Sequence, residues 1–203
     1  GAERVVSTLA NYWVSKNWDV DVITLARSDN DFYELSNNVK RISLDLAEES
    51  ENIYSKITNN YKRIKTLRIF LKKNDPDVVL SMMSTANVLL ALASIGLKEF
   101  VKVGSERTHP PKSRLGVVWN YLRKYLYYNL DSVVALTEKS ALWLKKNTRV
   151  KKVIVIPNTV TWPLPLINPY LKPITKDYNS KVLMAVGRLS TEKNFNTSIG
   201  LPL

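Results

Sequence analysis

Val182-Leu183-Met184-Ala185-Val186 runs without a break into Gly187-Arg188-Leu189-Ser190-Thr191-Glu192-Lys193-Asn194-Phe195. A continuous apolar run opening into a glycine turn is the pattern of a buried parallel strand that feeds a helix. Glycine lets the backbone approach a ligand closely, and Arg188 and Lys193 can converge on phosphate oxygens from one strand–turn–helix corner. The corner therefore predicts an anion site. It lies close to Leu203, so it is expected to open a second domain, most of which would follow.

Upstream of the corner the texture is different. Pro157, Pro163, Pro165, Pro169 and Pro173 punctuate a stretch with almost no helical pattern, which predicts an inter-domain linker over 161–179 and a new domain starting at 180–203. Residues 1–160 alternate between two periods. Ala2, Val5, Val6, Leu9 and Trp13 fall at helical spacing before a strand over 20–25, and a second strand is expected over 39–44. Ile57, Tyr61, Ile64, Leu67 and Leu71 read as the core stripe of a long helix ending before Asp75-Pro76. Its other face carries Lys56, Lys62, Arg63, Lys65, Arg68 and Lys72, and reads as a solvated face.

Strands are expected over 77–82, 100–103, 132–136 and 153–156, separated by helices over 86–95, 113–129 and 138–147. Such alternation with short connections predicts an α/β fold, a Rossmann-like, doubly wound and mostly parallel sheet. Gly1-Ala2-Glu3-Arg4 reads as a turn entering a helix, so the first strand of this domain is expected upstream of Gly1. In the helix over 113–129, Leu115, Val118, Trp119, Leu122 and Leu126 form the predicted core stripe. Tyr121, Arg123, Lys124, Tyr127 and Tyr128 are expected off it, a mixture that suits an anionic membrane interface.

Composition narrows the chemistry. The chain has 203 residues and no cysteine, which excludes disulfides, thiolate metal sites and cysteine nucleophiles. One histidine, His109, is too few for a histidine-rich metal site. The formal net charge of +12 predicts an anionic partner: a nucleic acid, a membrane surface or a phosphorylated substrate. No RNP, KH or helix-turn-helix signature supports nucleic acid. The apolar run Val88 to Leu97 is far shorter than the roughly 20 residues a membrane span needs.

Ligands of open α/β sheets collect at the carboxyl ends of strands. Here those ends carry Gly1 to Arg4, Ser81 to Thr85, Gly104 to His109, Thr137-Glu138, Asn158-Thr159 and Gly187 to Lys193. Four of these segments, in order, carry a family resemblance. Gly1-Ala2-Glu3-Arg4-Val5-Val6 resembles the GGAER-type turn of family 4 glycosyltransferases. Val134-Ala135-Leu136-Thr137-Glu138 resembles a strand end of the same family, Ile156-Pro157-Asn158-Thr159-Val160 its IPNGV segment, and Val186 to Phe195 its donor-phosphate corner.

The resemblance implies a GT-B architecture, in which the first Rossmann-like domain binds the acceptor and the second binds a nucleotide sugar. It further implies retaining, metal-independent transfer of a hexose or N-acetylhexosamine from a nucleotide diphosphate sugar, of the UDP type, with no cofactor and no metal ligands. The acceptor would be a lipid-linked or surface glycan, as in lipopolysaccharide or capsule biosynthesis, met in the cytoplasm at the inner face of the cell membrane. Arg188 and Lys193 would bind the donor diphosphate and stabilise the leaving group, with Gly187 shaping the turn. Gly1 and Ala2 would lend backbone amides near the donor phosphate or the acceptor. Ser105, Arg107 and His109 resemble the acceptor-side loop, with His109 a candidate catalytic group.

The chain also departs from the pattern. Thr159 stands for a glycine, and Asn194 for another. Gly200 and Pro202 interrupt the helix expected after the corner, and the family's paired glutamates would fall beyond Leu203. A non-catalytic carbohydrate- or nucleotide-binding remnant is the alternative reading. A basic nucleic-acid-binding α/β module is a second. Simpler roles also stand beside the site readings: Glu106 could form a local ion pair with Arg107, Thr137 could cap the following helix, and His109 could be an ordinary loop histidine.

Overall fold

The computed structural model describes residues 1–26, 33–46, 53–97, 99–112 and 115–158, all within one compact unit, Gly1–Thr159. The linker and the Gly187–Lys193 corner lie outside the described residues. Helix α1 (Ala2–Val14) leads to strand β1 (Asp21–Thr24), which pairs in parallel with β2 (Lys40–Ser43). Ala10, Val22 and Val39 form the small core beneath them. Helix α2 (Ile53–Asn74) then precedes a four-stranded parallel sheet in the order β3 (Val78–Met82), β4 (Val101–Ser105), β5 (Ser132–Ala135), β6 (Val153–Val155). Helices α3 (Ser84–Ala93), α4 (Val117–Leu126) and α5 (Glu138–Asn147) are the successive crossovers. Short 3-10 turns cover Pro110–Lys112 and Tyr127–Asn129.

This is the α/β, Rossmann-like architecture expected from the sequence. Every described strand pair is parallel. Strand β5 is buried at Ser132, Val133 and Ala135; since neighbours point to opposite faces, both faces of the sheet are covered there. The main core joins Val88, Leu90, Leu130, Val133 and Leu144, with Ile64, Leu67 and Leu126 packed against it. Each such leucine or valine contributes about 1.5–3 kcal/mol on leaving water.

Gly104 sets a close approach inside this core. A Cβ there would fall 2.9 Å from Leu130 Cδ1 and 3.1 Å from Asn87 Cγ, so only glycine lets Asn87 reach the end of β4.

Two helix faces differ from the periodicity reading. Ile57 and Tyr61 of α2 are 65% and 64% exposed, and Ile69 joins them on the surface. Only Ile64, Leu67 and Leu71 of the expected stripe pack inward, because α2 meets α3 through that part of its length. On α4, Val118 is 69% exposed, whereas Arg123 and Tyr127 are buried. The buried face therefore runs through Trp119, Leu122, Arg123, Leu126 and Tyr127, and its polar members find partners described below. Among the described residues no helix is long and apolar enough to cross a membrane.

Candidate functional site

The carboxyl ends of the four paired strands bring three separate sequence segments together. Beyond β4 the chain continues through Glu106, Arg107 and His109. The Glu106 amide donates to Val134 O of β5 at 2.8 Å, which fixes where the loop leaves the sheet. Arg107 then reaches Asn158, beyond β6, by a short hydrogen bond from Nη2, and its Nη1 donates to Ser105 Oγ at 3.4 Å. Partial burial lowers the Arg107 pKa from its ordinary value.

His109 lies 2.9 Å from Ser140 Oγ through Nδ1. Thr137 caps α5 by accepting the Ser140 amide, as the simpler reading of Thr137 anticipates. The Thr137 hydroxyl also lies 3.0 Å from Ser140 Oγ, with the geometry of a donor. When the Ser140 hydroxyl donates its hydrogen bond to Nδ1, the neutral ring carries its hydrogen on Nε2 and offers a donor there. Desolvation, then Lys139 and Lys112, lower the His109 pKa, which favours the uncharged imidazole. The same two lysines, with Arg107, give this edge positive potential, and the N-termini of α3 and α5 add to it.

Glu106 is not paired with Arg107. Its carboxylate accepts from Ser84 Oγ at 2.7 Å and from the Tyr127 hydroxyl, and lies 3.8 Å from Arg123 Nη1. Asn87 Nδ2 donates to the Tyr127 oxygen at 3.1 Å, while Asn87 Oδ1 receives Ser81 Oγ and the Ser105 amide. Burial and then the Glu106 charge raise the Tyr127 pKa well above its usual value, so the phenol keeps its proton and donates. Met83, between β3 and α3, adopts φ 78°, a conformation costly for a residue with a Cβ, and its amide donates to Ser105 O.

Sequence reading missed Asn87 and Ser140, placed Arg123 and Tyr127 on the surface, and named Ser84 only within the strand-end segment Ser81 to Thr85. A signal existed for Asn87 and for Arg123. Asn87 interrupts an otherwise small and apolar helix, and Arg123 lies four residues from both Trp119 and Tyr127, hence on their face. Of the sequence-predicted residues, Ser105, Arg107 and His109 share this edge. Gly1 and Ala2 begin α1, which packs on β1; they make none of the hydrogen bonds that join the edge. Gly187, Arg188 and Lys193 lie outside the described residues.

The sequence model of Glycosyltransferase Family 4 matches residues 1–161. The chain belongs to glycosyltransferase family 4. Among curated proteins it is 27% identical over 197 residues to the GalNAc-alpha-(1->4)-GalNAc-alpha-(1->3)-diNAcBac-PP-undecaprenol alpha-1,4-N-acetyl-D-galactosaminyltransferase of Campylobacter jejuni. That match covers 96% of this chain and 51% of the relative, so the chain spans about half the relative's length.

Among solved structures, the family 4 chain resembles two of sucrose-phosphate synthase from Thermosynechococcus elongatus. One gives a TM-score of 0.60 at 14% identity, covering 80% of this chain and 88% of that one. The other gives 0.61 at 14% identity, covering 77% and 42%. At that identity the likeness concerns the fold, which is that of the N-terminal Rossmann-like domain of a GT-B enzyme.

Proposed function

We propose that this family 4 chain is the acceptor-binding part of a retaining, metal-independent glycosyltransferase. The enzyme moves a hexose or N-acetylhexosamine from a nucleotide diphosphate sugar, of the uridine type, to a lipid-linked or surface glycan. Residues 1–160 hold the acceptor, 161–179 link the domains, and 180–203 begin the donor domain. The observation that carries this reading is the meeting of the 105–109 loop with Asn158 and Ser140 on one cationic strand-end edge.

In this reading Arg107 neutralises phosphate or orients sugar hydroxyls, and His109 donates to an acceptor oxygen. Ser105 lines the same edge. Gly1 and Ala2 offer backbone amides, and Arg188 and Lys193 at the Gly187 turn hold the donor diphosphate. The bond from the anomeric carbon to the diphosphate breaks, one to an acceptor hydroxyl oxygen forms on the same face of the sugar, and the hydroxyl's proton leaves with the diphosphate. A relative whose name specifies an undecaprenol-PP-linked glycan supports a lipid-linked acceptor.

The surface supports work at the inner, anionic face of the cell membrane. Val117 (87% exposed), Val118 and Tyr121 line the outer side of α4 beside Lys124, and Tyr128 of the following turn is exposed too. Lys151 stands over the Tyr128 ring at 4.6 Å, and Arg149 over Tyr125 at 4.6 Å. The exposed Ile57, Tyr61 and Ile69 of α2 alternate with lysines on a helix that has no carboxylate. Apolar and aromatic groups among cations bind anionic interfaces by insertion together with attraction.

One titration series tests the reading, with a nucleotide diphosphate sugar, a short oligonucleotide at two salt concentrations, and vesicles with and without anionic phospholipid. Saturable sugar-nucleotide binding by the full-length protein and anionic-vesicle binding weakened by Val117→Ser with Tyr121→Ser are expected. Tight, salt-steep oligonucleotide binding without a response to sugar nucleotide would overturn the transferase reading.

A further inference from the structure

The carboxylate of Glu106 and the guanidinium of Arg123 are 1% and 3% exposed. Removing two such ions from water costs several kcal/mol each, and a packed apolar pair of similar volume is often as stable or more so. The pairing is loose: Arg123 Nη1 stands 3.8 Å from the carboxylate and, among the described residues, has no hydrogen-bond partner. Arg123 is held by other contacts, through Nη2 to Asn120 Oδ1 at 2.8 Å and by stacking 4.8 Å from the Trp143 ring centre. Fold stability is thus a poor reason for this pair, whereas its place in the chain supplies a better one.

Glu106 is the link between the last residue of β4 and the loop that carries Arg107 and His109. Its two hydrogen-bond donors come from the start of α3 and the turn after α4, and its counter-ion comes from α4 itself. Asn87 underlies the arrangement by orienting the Tyr127 hydroxyl and receiving the Ser105 amide. We infer that Glu106 is a positioning residue, which Ser84, Tyr127 and Arg123 hold from behind so that Arg107 meets Asn158 and His109 meets Ser140. Glu106 acts through its neighbours and touches no substrate. A displacement of about 1 Å at such a loop is enough to cost about a hundredfold in rate. The effect on transfer rests on the acceptor-loop reading above; the effect on loop order does not.

The full-length protein carrying Glu106→Gln together with Arg123→Met tests this, because both charges leave at once and no lone ion remains buried. Two readouts are needed: amide hydrogen exchange of the peptide over 105–112, and kcat and KM for donor and acceptor separately. We expect the thermal midpoint to stay within about 5 °C of the parent, a change of a kcal/mol or two. Exchange over 105–112 should rise about tenfold or more while that of β4 and β5 holds. Acceptor kcat/KM should fall at least about tenfold with donor KM unchanged.

Unchanged exchange over 105–112 overturns the positioning role, as does an unchanged acceptor kcat/KM in an active enzyme. If the parent protein transfers no sugar but the exchange result holds, the transferase reading fails and the positioning role stands. Should the double variant not fold, Tyr127→Phe deletes a single donor to Glu106 and must raise the same exchange rates. No rise in that variant overturns the inference.

Discussion

Arg188→Ala in the full-length enzyme is expected to lower turnover by about tenfold to a thousandfold, with a smaller effect on donor binding. As the donor bond breaks, negative charge grows on the departing diphosphate. A cation fixed at the site of that charge acts more strongly in the transition state than in the ground state. The sequence at Gly187 has the pattern expected of a strand–turn–helix corner, and such a corner would offer Arg188 and Lys193 together with backbone amides at a helix start. Steady-state kinetics at saturating donor separates the two effects. A variant with unchanged turnover would remove Arg188 from the site and leave the corner as a solvated loop.

Arg123→Met alone is expected to destabilise the protein by about 3–5 kcal/mol. The substitution keeps most of the side-chain volume but leaves Glu106, at 1% exposure, without its counter-charge. In a chain of this size that corresponds to a fall of roughly 10 °C in the thermal midpoint. Adding Glu106→Gln should recover most of the loss, which distinguishes a stranded charge from lost packing against Trp143. A fall of less than about 1 kcal/mol for the single variant would show that Glu106 is compensated in some other way.

The elements themselves were legible because each one carries its own period. Helix α5 occupies Glu138–Asn147, as the pattern predicts, with Thr137 at its cap, and the six described strands fall within a residue or two of the expected spans. The faces of α2 and α4 were less legible. Ile57 and Tyr61 satisfy a helical stripe perfectly well, but a stripe says nothing about how far along the helix a neighbour extends. Arg123 and Tyr127 look like surface residues until Glu106 and Asn87 are brought to them, and those partners come from distant segments of the chain. The same limit applies to the site. Ser105, Arg107, His109 and Asn158 each stand out as strand-end residues, but only the parallel order β4-β5-β6 puts them side by side.

In the proposed function the strand-end edge serves an acceptor of transferred sugar. The direct measurement is glycosyl transfer by the full-length protein from a uridine diphosphate hexose or N-acetylhexosamine to a polyprenyl-diphosphate-linked glycan, with a chelator in excess. The expected product is the acceptor extended by sugar whose anomeric configuration matches that of the donor, with Arg107→Ala raising the acceptor KM. Absence of transfer from every donor to every lipid-linked or free glycan acceptor, in a folded protein that still binds sugar nucleotide, would contradict the account.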